Sequence, residues 1–529
     1  LLRRTDQRML SRVSRKMLNY LTWTGIEAAK PLLSRLGADV DQDERVGDLN
    51  QPLGKTESAI GWELAREVFR VASTNLGDDT ILELVQAWIQ QDRTSFIVKA
   101  VNGQTPLDEV VNAVRRYKFL ALEERELSEA ASNGVRVGLI RRFFTEQLEY
   151  INVAKKYLDI HDFFGMLERV VVSPSHQGKL GGKSAGLFLA AKILSAANEA
   201  GGQIGPITTP RTWHITSDGV LDFIHHNEFE EVFEQKYKDI NQVRQEYPHL
   251  IHLFKHSSFP PEIVSGLSMA LDDFGEVPLI VRSSSLLEDR FGAAFSGKYK
   301  SLFLANQGNK QQRLEALLDA VAEIYASTFG PDPIEYRAER GLLDFDEEMG
   351  ILIQEVVGKR VGKYFFPAWA GVAFSNNEFR WSPRIERKDG LARLVPGLGT
   401  RAVDRLGDDY PILVAPGRPN LRVNVSLDET VRYSPQKIDI INLERNCLET
   451  RDVAELIKEC GAAFPGARST LSVFRDNLLH RPNPILTDFR QDHCVVTFDG
   501  LLNDSPFLAR IRAMLSCLEE ALGTPVDIE

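Results

Sequence analysis

The spacing of apolar residues along this chain changes character near residue 168. Before that point they recur at three- and four-residue steps, as in Leu10, Val13, Met17 and Leu21, and again in Ile140, Phe144, Leu148 and Ile151. Such spacing lines one face of an amphipathic helix, so residues 1–165 are expected to form a mostly helical domain. Gly103-Gln-Thr-Pro-Leu reads as a loop entering a further helix, with Thr105 as its cap and Pro106 in the first turn. Beyond residue 168 short apolar runs of strand length take over. Residues 169–172, 277–281, 349–357 and 370–375 are predicted strands, and 206–216 reads as an edge strand after a Gly-rich turn. Helical spacing returns after Lys183 (Leu187, Ala191, Leu194) and across 311–340, a charged helix or helix pair. A last stripe runs through Phe507, Ile511, Leu515, Leu518 and Leu522; Asp504-Ser-Pro506 supplies its cap and first turn, and Gly523 ends it.

Composition narrows the class. With 529 residues the chain is long enough for several domains, and 43% hydrophobic with 26% charged residues describes a soluble globular protein. A net charge of −11 argues against general binding to nucleic acid or to an anionic membrane. No apolar run is long enough to span a bilayer and no signal-peptide pattern is present, so a cytoplasmic location is expected. The four cysteines, Cys447, Cys460, Cys494 and Cys517, are widely spaced without a CxxC pair. They suit free thiols better than a disulfide framework or a zinc site. The chain starts at Leu1, so a fragment of a longer polypeptide is expected.

Some features are chemically quiet. Arg8, Arg12, Arg15 and Lys16, with Arg3 and Arg4, flank the first helix and suit either an acidic partner or, more commonly, a solvated face. His225 and His226 are expected at the surface. Nothing in 1–165 pairs a nucleophile with a base or clusters metal ligands, so this part reads as an accessory or interaction domain.

Candidate chemistry gathers elsewhere. The run ending in Val281 delivers Arg282 at the expected strand end, followed by three serines, Glu288, Asp289 and the small-residue segment Gly292-Ala-Ala-Phe-Ser-Gly297. A guanidinium beside small residues suits a polyphosphate, because its donors are planar and permanently charged and the small residues let backbone N–H groups approach. An ordinary Ser-rich turn with a surface Arg fits the same composition. Upstream, Lys179-Leu-Gly-Gly-Lys183-Ser lies between a strand and a helix. A P-loop would need glycine at Gln177, so that motif is refused. At the far end Asp527 and Glu529 fall on one face of a strand, where two carboxylates suit Mg²⁺ held against phosphate oxygens.

In order along the chain, Gly181-Gly-Lys183-Ser-Ala-Gly-Leu187, Val281-Arg282-Ser-Ser with Glu288-Asp289, Ala-Phe-Ser-Gly297, the strands at 349–357 and 370–375, and Asp527-Ile-Glu529 resemble motifs of one family. It is the nucleotide-binding domain of the phosphoenolpyruvate synthase and pyruvate phosphate dikinase family. The resemblance implies an α+β ATP-grasp domain over 166–529, preceded by the helical 1–165, with 408–475 as an insertion of polar loops and helices. It implies ATP and Mg²⁺ as cofactors. By position, Lys183 and Arg282 would be catalytic and would contact the nucleotide, together with Gly297, Ser301 (where the family has Thr), Gln354 and Glu355. Without the resemblance, Gln354 and Glu355 read simply as alternating strand residues. Asp527 and Glu529 would bind the metal. The hairpin that should follow Glu529 is expected to lie beyond the given chain.

The activity so implied is an ATP-dependent phosphotransferase. It would pass phosphate to a histidine on a separate domain or subunit and on to an unknown small-molecule acceptor. One departure counts against it: Thr400 stands where the family often has an acidic residue in Gly-Leu-Gly-Glu. The alternative is a non-catalytic nucleotide-binding or regulatory scaffold.

Overall fold

The computed structural model describes residues 6–35, 60–103, 105–121, 127–172, 178–202, 204–285, 299–345, 347, 349–403, 407–483 and 486–529. By the density of internal contacts the chain divides into two compact units, Leu1–Thr105 with Glu109–Val135, and Pro106–Asp108 with Arg136–Glu529. The architecture is α+β, with a helical N-terminal region.

The first unit is helical for the reason its sequence gives. Helix Gln7–Trp23 begins at Asp6, whose carboxylate accepts the Met9 N–H at 2.8 Å, a normal N-cap. Leu10, Val13, Met17 and Leu21 are all buried, and Met17 and Leu21 pack with Val68 and Ala72 of helix Trp62–Asn75. Part of the basic flank is engaged internally. Arg12 reaches Asp92 and Lys16 reaches Gln91, each at 2.8 Å.

The described residues of the second unit form four sheets. The first contains β1 (Val170–Val171), β2 (Thr212–Ile215), β3 (Leu279–Ser285), β4 (Ser301–Leu304) and β5 (Met349–Glu355), in the order β1-β2-β5-β3-β4. Next come β6 (Lys359–Val361), β7 (Tyr364–Phe366), β8 (Trp369–Phe374), β9 (Leu391–Pro396), β10 (Ile412–Val414), β11 (Lys437–Asn442) and β12 (Cys447–Asp452). The chain ends with β13 (Leu471–Arg475), β14 (Leu478–His480), β15 (His493–Val496) and β16 (Asp527–Ile528). These make sheets β10-β9-β8-β16, β12-β11-β7-β6 and β14-β13-β15.

One face of the first sheet is its core face. Leu279, Val281, Ile351 and Ile353 meet residues of helices Pro261–Phe274 and Lys310–Ser327 there, among them Leu267, Leu271, Leu317 and Val321. Helix Lys310–Ser327 starts on a reciprocal capping box between Asn309 and Gln312, and Pro331–Glu339 follows it as the second helix of the expected pair. His225 and His226 are exposed.

Four expectations need correction. The strand at 212–215 is not an edge strand: β2 lies between β1 and β5, and Pro206 and Pro210 precede the ladder without interrupting it. Arg282 is not at the end of β3, because Ser283, Ser284 and Ser285 continue the pairing with β5 and are fully buried. Residues 408–475 are not merely polar loops and helices. They supply β10 to β13, and Ile438 and Ile440 of β11 enter the core. Finally, Asp504 ends the helix Asp499–Asp504, and the Ser505 hydroxyl accepts the Phe507 N–H at the start of the last helix.

Candidate functional site

Alternation along β3 decides what each residue faces. Leu279 and Val281 enter the core, so Ile280, Arg282 and Ser284 take the opposite face. Ile280 packs there with Phe303, Leu398 and Ile441. Ser301 of β4 is the cross-strand partner of Arg282 and is exposed beside it. Gln354 pairs with Ile280 and shares this face; it is buried, and its amide donates to Thr212 Oγ1 at 3.0 Å.

The Gly-Gly turn brings Lys183 to the same strand. Gly181 has φ +81°, and a Cβ placed there would lie 1.6 Å from the Ser284 carbonyl oxygen. A Cβ on Gly350 of β5 would meet the Leu180 carbonyl oxygen at 2.8 Å. Only glycines let the turn rest this closely on the sheet. Helix Gly182–Glu199 then begins without a side-chain cap of its own. Its Ser184 N–H bonds instead to Ser284 Oγ at 3.2 Å. The loop before the turn is held by Asp218, which accepts the Gly178 N–H at 3.0 Å, and by Ser217, which accepts that of Lys179 at 3.0 Å. Burial pushes the Asp218 pKa up.

The last segment arrives from another sheet. Helix Phe507–Leu522 packs against helix Gly182–Glu199 and ends at Gly523, whose φ of +71° turns the chain into β16. Asp527 and Ile528 pair with Phe374 and Ala373 of β8. Asp527 and Glu529 therefore share a face, and Glu529 forms an ion pair with Arg282. Asp527 is exposed on one side, yet flanking atoms strip part of its hydration. That desolvation, reinforced by the charge of Glu529, raises its pKa, while Lys183 pulls it back. Lys183, Arg282, Asp527 and Glu529 are thus brought together from three distant stretches of chain. Among the described residues Arg282 Nε is buried without a hydrogen-bond partner.

Glu355 is turned away from this group. As the next residue after Gln354 it points to the opposite face, where its carboxylate binds the Arg211 guanidinium at 2.9 Å and accepts the Arg211 N–H at 3.0 Å. The N–H groups of Glu355 and Val356 are also committed, to Arg211 O and Pro278 O. The side chain of Glu355 therefore does not join the group around Arg282, and strand alternation is the reason. Gly297, Glu288 and Asp289 lie outside the described residues.

Thr400 opens a short helix, Thr400–Val403, and its hydroxyl donates to Asp439 Oδ2 at 2.5 Å. Asp439 also accepts from Thr450 at 2.6 Å and from Arg401 at 3.2 Å. Sequence reasoning missed this network, because no local pattern links Asp439 to Thr400. It likewise missed His214, whose Nδ1 lies 3.0 Å from Ser184 Oγ.

Two carboxylates and two cations around an unsatisfied guanidinium nitrogen form a set that can hold a phosphate chain with a divalent cation. Among the described residues no group of three or more His, Cys, Asp or Glu is placed to hold a metal. A magnesium ion here would thus depend on Asp527 and Glu529 together with phosphate oxygens and water, which is its usual manner of binding. No described helix is long and apolar enough to cross a membrane. No curated protein matches the chain significantly. The family model described as pyruvate phosphate dikinase, AMP/ATP-binding domain, matches residues 177–529, more than half of the sequence. The chain belongs to this family of dikinase nucleotide-binding domains.

Proposed function

We propose that this chain binds Mg-ATP at Lys183, Arg282, Asp527 and Glu529 and transfers phosphate from it to a histidine carried on another domain or subunit, which then serves a small-molecule acceptor. Lys183 and Arg282 neutralise and orient the phosphate oxygens, with Ser301 beside Arg282. Gln354 and the apolar patch around Ile280 line the side toward the base, and Gly297 is assigned to the phosphates by its motif alone. Asp527 and Glu529 hold the metal, which when bound offsets negative charge on the transferring group. The chain itself needs no nucleophile, since positioning and charge neutralisation suffice for this step. Membership of the family supports ATP binding in a dikinase-type phosphotransferase. The observation that carries the assignment to these residues is the convergence of the four charged groups from three distant stretches of chain.

A second reading, a module that binds nucleotide without turning it over, draws on Thr400. Its hydroxyl is spent on Asp439, and no carboxylate stands at that position. Both readings are tested by calorimetric titration of Mg-ATP followed by product analysis. Saturable binding weakened by Lys183→Ala and by Asp527→Ala, with AMP formed as the supplied histidine takes up the β- and γ-phosphates together, supports the enzyme. Binding without AMP supports the scaffold, and absence of binding excludes both.

A further inference from the structure

A buried hydrogen-bond chain joins the two cations of the site from behind. Ser284 Oγ donates to the Leu180 carbonyl at 2.9 Å and receives the Ser184 N–H at 3.2 Å. Its single proton is thereby committed, so toward Ser184 Oγ, 3.3 Å away, it can only accept. Ser184 Oγ in turn lies 3.0 Å from His214 Nδ1 on β2. All three side chains are buried, Ser184 at 1% and Ser284 at 0% exposure, His214 at 8%. Ser284 is two residues beyond Arg282 on the same face of β3, and Ser184 directly follows Lys183. The strand of one cation therefore supplies the cap that the helix of the other lacks.

We propose that Ser284, Ser184 and His214 are positioning residues that fix the separation of Lys183 and Arg282 and so set the affinity for the phosphate chain. This rests on the nucleotide reading above. Three elements meet in the network: β3, the helix start and β2. Its members are buried and bonded to one another and to Leu180, so the network acts through the two cations. Burial pushes the His214 pKa down to about 4, so the ring stays neutral and adds no third cation behind Lys183. With the Ser184 proton directed at Ser284, Nδ1 carries the proton of the neutral ring and donates to Ser184 Oγ.

The test compares ATP with AMP by calorimetry, each with Mg²⁺, on wild type, Ser284→Ala, His214→Leu and His214→Asn, with thermal melts confirming folding. A network that spaces the cations makes Ser284→Ala and His214→Leu weaken ATP by roughly five- to tenfold, the scale of a lost cap, while AMP, with one phosphate, changes far less. His214→Asn, which keeps a polar atom where Nδ1 lies, restores most of the ATP affinity. Equal losses for ATP and AMP, or no loss for either, overturn the proposal and leave the nucleotide reading standing. Wild type that binds neither nucleotide overturns that reading first and this inference with it.

Discussion

Two arginine–glutamate pairs stand on opposite faces of the same sheet, and they differ in how completely their charges are used. On one face Arg211 binds Glu355 through side chain and backbone, lies 3.5 Å from Asp273, and donates to the Asp273 carbonyl. Asp273 is also bonded by Arg169 at 3.1 Å and by the Trp213 indole at 2.8 Å. The charges of Arg211, Glu355 and Asp273 there each take part in several bonds. On the other face Arg282 meets Glu529 alone among the described residues and keeps a buried nitrogen without a bond. Beside it, Asp527 is crowded by Glu529. The saturated pair holds structure. On the reading proposed above, the unsaturated one meets phosphate oxygens.

The largest effect that sharpens this contrast is expected at the turn under Lys183. Gly181→Ala forces a Cβ onto the Ser284 carbonyl at positive φ, and should cost about 3 kcal/mol or more of stability or displace the turn and abolish nucleotide binding. A variant that melts and binds like wild type would show that the turn does not rest on β3. Opposing pH responses come next. Desolvation and Glu529 raise the Asp527 pKa, so its contribution to folding is full below the unfolded aspartate range and is lost as pH rises through the folded value. For Glu355, burial raises the pKa but the bonds from Arg211 outweigh it, and the net shift is downward. Its contribution is present above the unfolded pKa and lost as pH falls through the folded one. Melting curves against pH should therefore show Asp527→Asn more stable than wild type at neutral pH, and Glu355→Gln less stable there, the Glu355→Gln deficit closing in acid. The same direction for both variants would dissolve the distinction between the two faces. A smaller effect is expected at Thr400, where Thr400→Val removes one bond to Asp439 and should cost about 1 kcal/mol in denaturant unfolding. A neutral result there would mean that Arg401 and Thr450 satisfy Asp439 unaided.

Much of this was legible in the sequence. The helix of Leu10, Val13, Met17 and Leu21, the strands carrying Arg282 and Gln354, and the stripe before Gly523 follow from spacing, because a period of 3.6 or 2 directly states which face is buried. The three serines after Arg282 were misread as a loop. Their polarity disguises a buried strand whose hydroxyls find partners elsewhere in the fold, Ser284 at Leu180 of the turn and Ser285 at Glu347. Glu355 was placed in the site although alternation with Gln354 already assigned the two to opposite faces. What sets its role is Arg211, more than a hundred positions away, and no local pattern announces such a partner. His214 and Asp439 were invisible for the same reason: their meaning lies in Ser184 and Thr400, which only the fold brings near.

The most direct measurement is a parallel calorimetric titration of Mg-ATP into Arg282→Ala and Arg211→Ala, with a thermal melt of each. Arg282→Ala is expected to lose about a hundredfold in affinity, the scale of one or two charge-assisted bonds, while melting near wild type. Arg211→Ala is expected to bind Mg-ATP normally in the folded state while losing about 2 kcal/mol of stability. Normal ATP affinity in Arg282→Ala, or a loss confined to Arg211→Ala, would contradict the assignment of the Arg282 face as the nucleotide site.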